Sequence, residues 1–195
     1  MTAVMAMCTA MRAATAMTTD ADLVEPLTPE HLQRLATWFG AGFPIGAFSY
    51  SHGLEAAFEA GLVTDRDGLI EWIEGLLLFG SARNDAILFA VGWPFRGPTA
   101  LPVAAGACCA AAAIPLHASL LAYLHAFAAN IVSAALRSMP VGQSEGLAVQ
   151  SALENCVSLT ARDALSASLD DIGSATPMLD WLSATHETQY SRLFR

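Results

Sequence analysis

The chain has 195 residues, 54% of them hydrophobic and 14% charged, which is enough length for one domain with a real core. Eighteen acidic residues against nine basic ones give a formal net charge of -9, so a groove that tracks a nucleic-acid backbone is excluded. All nine basic residues are arginine, which removes the P-loop lysine and every Schiff-base or lysine-nucleophile mechanism.

Met1 to Thr19 is rich in Met, Ala and Thr, with Arg12 as its only charge. A signal peptide would place its positive charge first, so residues 1–27 read as a flexible tail and 28–195 as the folded domain. Thr28-Pro29-Glu30 is a helix start: a capping hydroxyl, proline at the first helical position and an acid in the first turn. The short helix through Leu35 and Trp38 stops at Gly40 to Gly46, whose glycines and proline form an apolar loop. Ser49 to Ala60 reads as the next helix, closed by Gly61. Thr64 is expected to cap a helix with a wide apolar face of Leu69, Ile70, Trp72, Ile73, Leu76 and Leu77. A further helical stretch covers Ala82 to Val91, and the Gly- and Pro-rich connector Gly92 to Pro102 follows.

From Gly97 to Leu136 there is no Asp, Glu or Arg. The stretch is mostly alanine, is broken by Pro102 and Pro115, and carries His117, His125 and Asn130, so it reads as buried helix rather than a membrane span. Its longest helix, Leu116 to Met139, sets Ala118, Ala122, Ala126, Ala129 and Ser133 along one flank, where small side chains let another helix approach closely. Ser144 to Ser166 and a short helix after Thr176-Pro177 complete the pattern. Alternation with period two, bounded by hairpin turns, is absent, so the fold class is all-α.

Three chemical signatures fail on spacing or context. Gly142-Gln143-Ser144-Glu145-Gly146 matches the nucleophile elbow G-x-S-x-G, with Asp170, Asp171 or Asp180 and then His186 in suitable order, a set that would make a small serine hydrolase. The elbow needs a preceding strand, and here a helix and Pro140 precede the serine, so Ser144 reads instead as a helix cap. The five histidines hold no pair three or four residues apart, and His117 and His125 lie about 12 Å apart along a helix axis, too far to share one ion. Cys8, Cys108, Cys109 and Cys156 form no C-x-x-C pair and read as reduced thiols, the adjacent Cys108 and Cys109 facing different sides of a helix.

Two segments are rich in the aromatics and arginines that anchor protein interfaces: Phe43 to Glu55 and the carboxy-terminal His186 to Arg195. Pro44-Ile45-Gly46-Ala47-Phe48-Ser49-Tyr50-Ser51-His52-Gly53-Leu54-Glu55, Leu121-Ala122-Tyr123-Leu124-His125-Ala126-Phe127-Ala128-Ala129-Asn130 and His186-Glu187-Thr188-Gln189-Tyr190-Ser191-Arg192-Leu193-Phe194-Arg195 together resemble the urease accessory protein UreF family. The resemblance runs from about Leu32 to Arg195. It implies a single-domain helical bundle that is dimeric, cytoplasmic and non-catalytic, a chaperone that bridges UreD (also called UreH) and the GTPase UreG on apo-urease for nickel insertion. It implies no tightly bound cofactor and no membrane partner: nickel is handled by the assembled complex and GTP is bound by the partner. The partner-binding residues it implies are Pro44, Gly46, Phe48, Tyr50, His52 and Glu55 in the first motif. In the last they are His186, Glu187, Tyr190, Arg192, Phe194 and Arg195, the tail being implicated in docking UreD. Relatives often carry the histidine before the tyrosine in the first motif, so a histidine-specific role is not carried over. They also usually carry additional helical sequence between the positions matching Ala90 and Leu101, where this chain has a short connector.

Overall fold

A computed structural model describes residues 26–40, 51–92 and 99–186 of the chain. Among them are nine α-helices and no strand: α1 (Pro29–Trp38), α2 (Leu54–Glu59), α3 (Arg66–Phe79), α4 (Ser81–Val91), α5 (Leu101–Ala111), α6 (Leu116–Ser138), α7 (Gln143–Ala152), α8 (Glu154–Ser166) and α9 (Pro177–His186). The all-α expectation therefore holds. The 1–27 tail lies almost wholly outside the described residues.

Several helix starts follow their local chemistry. Thr28 caps α1, its hydroxyl accepting from the His31 N–H at 3.2 Å while Pro29 takes the first helical position. Gly61, with φ +69°, ends α2 as the sequence suggests. Three boundaries differ from expectation. The cap of α3 is Asp65 rather than Thr64, because its carboxylate accepts the Gly68 N–H at 2.9 Å. The stretch Ser144 to Ser166 is two helices, since the chain turns at Leu153 between α7 and α8. Ser144 is not a cap: Gly142 precedes α7, its N–H donating to Glu145 Oε2 at 2.9 Å, and Ser144 sits exposed in the first turn.

The helix α6 is the axis of the fold and packs against α1, α2, α3, α4, α5, α7 and α8. It is long and apolar enough to cross a membrane, with a mean hydropathy of 1.5, yet 61% of that window is buried inside the protein. This is how a central core helix reads, as expected for the uncharged stretch. Leu120, Tyr123, Leu124, Phe127 and Ile131 of α6 meet Leu69, Ile73 and Leu77 of α3 and Ile87 and Phe89 of α4 in one buried cluster. The helices α4 and α5 approach so closely that a Cβ on Gly106 would lie 2.3 Å from the Phe89 carbonyl oxygen. The Thr160 hydroxyl lies 3.0 Å from both the Leu77 and Cys156 carbonyl oxygens, satisfying a buried polar group and tying α8 to α3. Cys108 is exposed and Cys109 buried, facing different sides of α5 as expected, and burial pushes the Cys109 thiol up to about 11.

Candidate functional site

The first motif enters the described structure at Ser51. The next two residues, His52 at φ +50° and Gly53 at φ +79°, both lie in the left-handed region and turn the chain sharply into α2. That is why α2 begins at Leu54 and not at Ser49. For histidine this backbone is costly, and it persists only where the surroundings hold it. Two contacts do so. The His52 ring stacks on Phe127 of α6, centroids 4.6 Å apart at 45°. A Cβ on Gly53 would lie 2.8 Å from the Ser183 backbone nitrogen, so only glycine lets α9 pass against this turn.

The first two motifs therefore meet at this turn, and α9, which ends at the first residue of the third, packs against it. His52 and Gly53 belong to the first and Phe127 to the second. Glu55 is buried in the first turn of α2. The Ser51 hydroxyl and His52 Nε2 are buried with no hydrogen-bond partner among the described residues. Burial holds the His52 imidazole down to about 4, so the ring is neutral at pH 7. Pro44, Gly46, Phe48, Tyr50, Glu187, Tyr190, Arg192, Phe194 and Arg195 lie outside the described residues.

On the other side of α6, Leu121, Ala122, His125, Ala126, Ala129 and Asn130 of the second motif help to line a groove of about 750 Å³ closed by α1, α7 and α8. All five residues of the small flank, Ala118, Ala122, Ala126, Ala129 and Ser133, open onto it. Its polar end is built by Gln150, whose Nε2 lies 3.0 Å from His125 Nδ1 and whose Oε1 is buried with no partner among the described residues. Glu154 is the only carboxylate in its lining among the described residues. Between groove and core, the Tyr123 hydroxyl donates to Asp85 Oδ2 at 3.2 Å, and the Tyr123 ring meets Phe89 at 5.2 Å and the edge of Phe39 at 5.8 Å. Burial pushes the Asp85 carboxyl up to about 6 against the opposing effect of that hydrogen bond, and it raises the Tyr123 hydroxyl as well.

Sequence reasoning missed the loop between α8 and α9. Arg83 Nε pairs with Asp163 Oδ2 at 2.7 Å, and its Nη1 donates to the Asp171 carbonyl at 2.8 Å. The Gly173 N–H donates to Asn84 Oδ1 at 3.1 Å and the Ala175 N–H to the Phe79 carbonyl at 2.9 Å. No short-range pattern joins positions 88 residues apart. The elbow-like Ser144 has no strand before it among the described residues, and no trio of His, Cys, Asp or Glu there could hold a metal ion.

This geometry defines an all-helical domain in which the first two motifs form a corner against α9 and the small flank of α6 lines a groove. A family model described as UreF matches residues 94–154. The chain is 35% identical over 204 residues to "Urease accessory protein UreF" of Roseobacter denitrificans, covering 83% of this chain and 92% of the relative. It is 38% identical over 217 residues to the protein of the same name from a Methylobacterium species, covering 83% and 87%. A third relative, "Urease accessory protein UreF 1" of Brucella canis, is 34% identical over 225 residues, covering 89% and 99%. The chain belongs to the UreF family of urease accessory proteins. Because 83% of 195 residues is about 162, the 217 compared positions include about 55 with no counterpart here, and the family match begins inside the short connector.

Proposed function

We propose that this protein is a cytoplasmic, non-catalytic chaperone of urease maturation that bridges UreD/UreH and the GTPase UreG on apo-urease. On this reading nickel is the cargo of the assembled complex, GTP belongs to UreG, and the chain holds no cofactor tightly. The observation that carries the proposal is the meeting of the first two motifs with the helix that leads into the third, His52 packing on Phe127 and Gly53 against α9. Convergence of distant segments on one corner suits a docking surface better than independent structural roles would. Met178 and Trp181 add exposed apolar area to α9, and Trp is the residue type most often found at interface hot spots. The proposed partner-facing set is then Pro44, Gly46, Phe48 and Tyr50 together with His186, Glu187, Tyr190, Arg192, Phe194 and Arg195, while His52, packed on Phe127, and the buried Glu55 shape that surface from beneath.

The groove supports the second part of the reading, a homodimer. Away from the polar end at His125, Asn130, Gln150 and Glu154 its walls are small or apolar, and its small flank runs along α6, so an α-helix of a second copy can approach closely. Co-purification with UreD tests the bridging role: the wild-type chain retains UreD, and Tyr190→Ala with Arg192→Ala weakens the complex without loss of helicity. A soluble wild-type chain that does not retain UreD overturns it. For the dimer, Ala122→Glu is expected to convert the sedimenting species to monomer, and an unchanged mass would remove the groove from the interface.

A further inference from the structure

The groove between α1, α6, α7 and α8 is open along an apolar edge, where Leu27 and Leu32 of its lining are 41% and 55% exposed. Its polar end is unfinished as well. Gln150 Oε1 is buried with no partner among the described residues, and the described lining holds no arginine to meet the Glu154 carboxylate. A fitting occupant therefore brings apolar side chains, a small face for close approach and one cationic donor.

The chain itself supplies such a segment. Residues 1–25 lie outside the described structure, which opens at Pro26 with Leu27 already in the groove lining. Met1 to Thr19 has Arg12 as its only charged side chain. Val4, Met7, Cys8 and Met11 recur at the i, i+3, i+4, i+7 spacing of one helix face, in a stretch otherwise rich in alanine, a strong helix former with a small side chain. The small flank of α6 from Ala118 to Ser133 extends about 22 Å, and Val4 to Thr19 in helical form would span the same length. Arg12 stands at the middle of that segment, and His125, which meets Gln150, stands at the middle of the flank. The guanidinium is thus brought close to the level of Gln150 whichever way the segment runs. The residues from Asp20 to Pro26 reach about 23 Å when extended, enough to return the segment from Leu27 to either end of the groove.

We propose that Met1 to Thr19 seats in the groove of its own chain, its apolar face on the small flank of α6 and the Arg12 guanidinium on Gln150 Oε1 and the Glu154 carboxylate. A tethered segment meets the groove at an effective concentration on the order of millimolar, which favours it over a separate molecule. Charge favours it too: a second copy brings a net charge of -9 toward a groove whose carboxylate is uncompensated, whereas the segment brings a cation. Seated, the segment covers the face already read as the homodimer surface, so a second copy must displace it and the segment regulates dimerisation. That consequence rests on the dimer reading, and the seating itself does not.

Hydrogen exchange of the full-length protein, read by mass spectrometry, tests the seating. Amides of residues 4–19 are expected to exchange at least tenfold more slowly than in a free peptide of that sequence, at a rate independent of protein concentration. Met7→Asp with Met11→Asp is expected to abolish the protection. Glu154 is exposed, so Glu154→Arg keeps the bundle folded; it is expected to reduce the protection at least fivefold, and adding Arg12→Glu to restore it. Exchange at the free-peptide rate in the wild type overturns the proposal. So does protection that Glu154→Arg leaves unchanged, which puts the segment elsewhere, and protection that fades on dilution, which makes a second copy the occupant. Sedimentation tests the consequence: Met7→Asp with Met11→Asp is expected to lower the dimer Kd at least tenfold. An unchanged Kd with the segment released overturns the competition. A chain that stays monomeric with the segment released overturns the dimer reading, while the seating stands or falls on the exchange rates.

Discussion

Asp85 and His52 are hidden ionisable groups whose shifts act on stability in opposite directions over nearly the same pH window. The Asp85 carboxyl stands at about 6 in the folded protein against an ordinary 3.8. Between those values the folded state keeps a proton that the unfolded state has lost, so stability falls as pH rises from about 4 to 6. The His52 imidazole stands at about 4 against 6.5. There the unfolded state takes up the proton first, so stability falls as pH drops from about 6.5 to 4. Each shift of two units or slightly more corresponds to about 3 kcal/mol. In the wild-type protein the two contributions largely offset each other. Asp85→Asn keeps an acceptor for Tyr123 and leaves the histidine effect alone: stability should rise by about 2 kcal/mol from pH 4.5 to 7. His52→Asn, which suits the left-handed backbone, should leave the opposite slope. Urea denaturation followed by circular dichroism at half-unit pH steps reads both profiles. Parallel profiles for the wild type and both variants would refute burial as the cause of the shifts.

Three substitutions check the packing and backbone arguments. Gly106→Ala places a methyl 2.3 Å from the Phe89 carbonyl oxygen and should cost about 1–3 kcal/mol by forcing α5 off α4, read as a lowered urea midpoint. Gly61→Ala meets nothing within 4 Å and should cost only the left-handed backbone, about 1–2 kcal/mol. Thr160→Val removes the hydroxyl between the Leu77 and Cys156 carbonyls and should lower stability by about 1–2 kcal/mol, checked by the same denaturation.

The elements and the core were legible in the sequence because both rest on local periodicity. The apolar face of α3, the uncharged α6 and the small flank along the groove all follow from a repeat of 3.6 residues, and Thr28 and Gly61 act as their residue types suggest. Helix interruptions were not legible where the residue types are permissive. Leu153 is a good helix former, yet it stands at the turn between α7 and α8 because the packing of both helices around α6 demands a bend. The start of α2 was misplaced because His52 takes a left-handed conformation that sequence assigns to Gly or Asn, and the reason lies in Phe127, far along the chain. The first and second motifs and the helix entering the third could be quoted from the sequence, but their meeting at Gly53 could not. The Arg83 clamp and the Asp85–Tyr123 pair left no local trace, since each joins partners separated by 38 residues or more.

The contact that brings Gly106 onto the Phe89 carbonyl also fixes where the chain can change length. A Cβ on Gly92, just past the end of α4, would lie 2.8 Å from the Val103 Cα, two residues into α5, so the two ends of the connector are neighbours in space. Sequence can be added or removed between neighbouring points without moving a core residue, at a closure cost that grows only slowly with the length inserted. The α4–α5 junction is therefore a port in the fold. Sequence added at this junction would leave the packing of α4 on α5 as it stands.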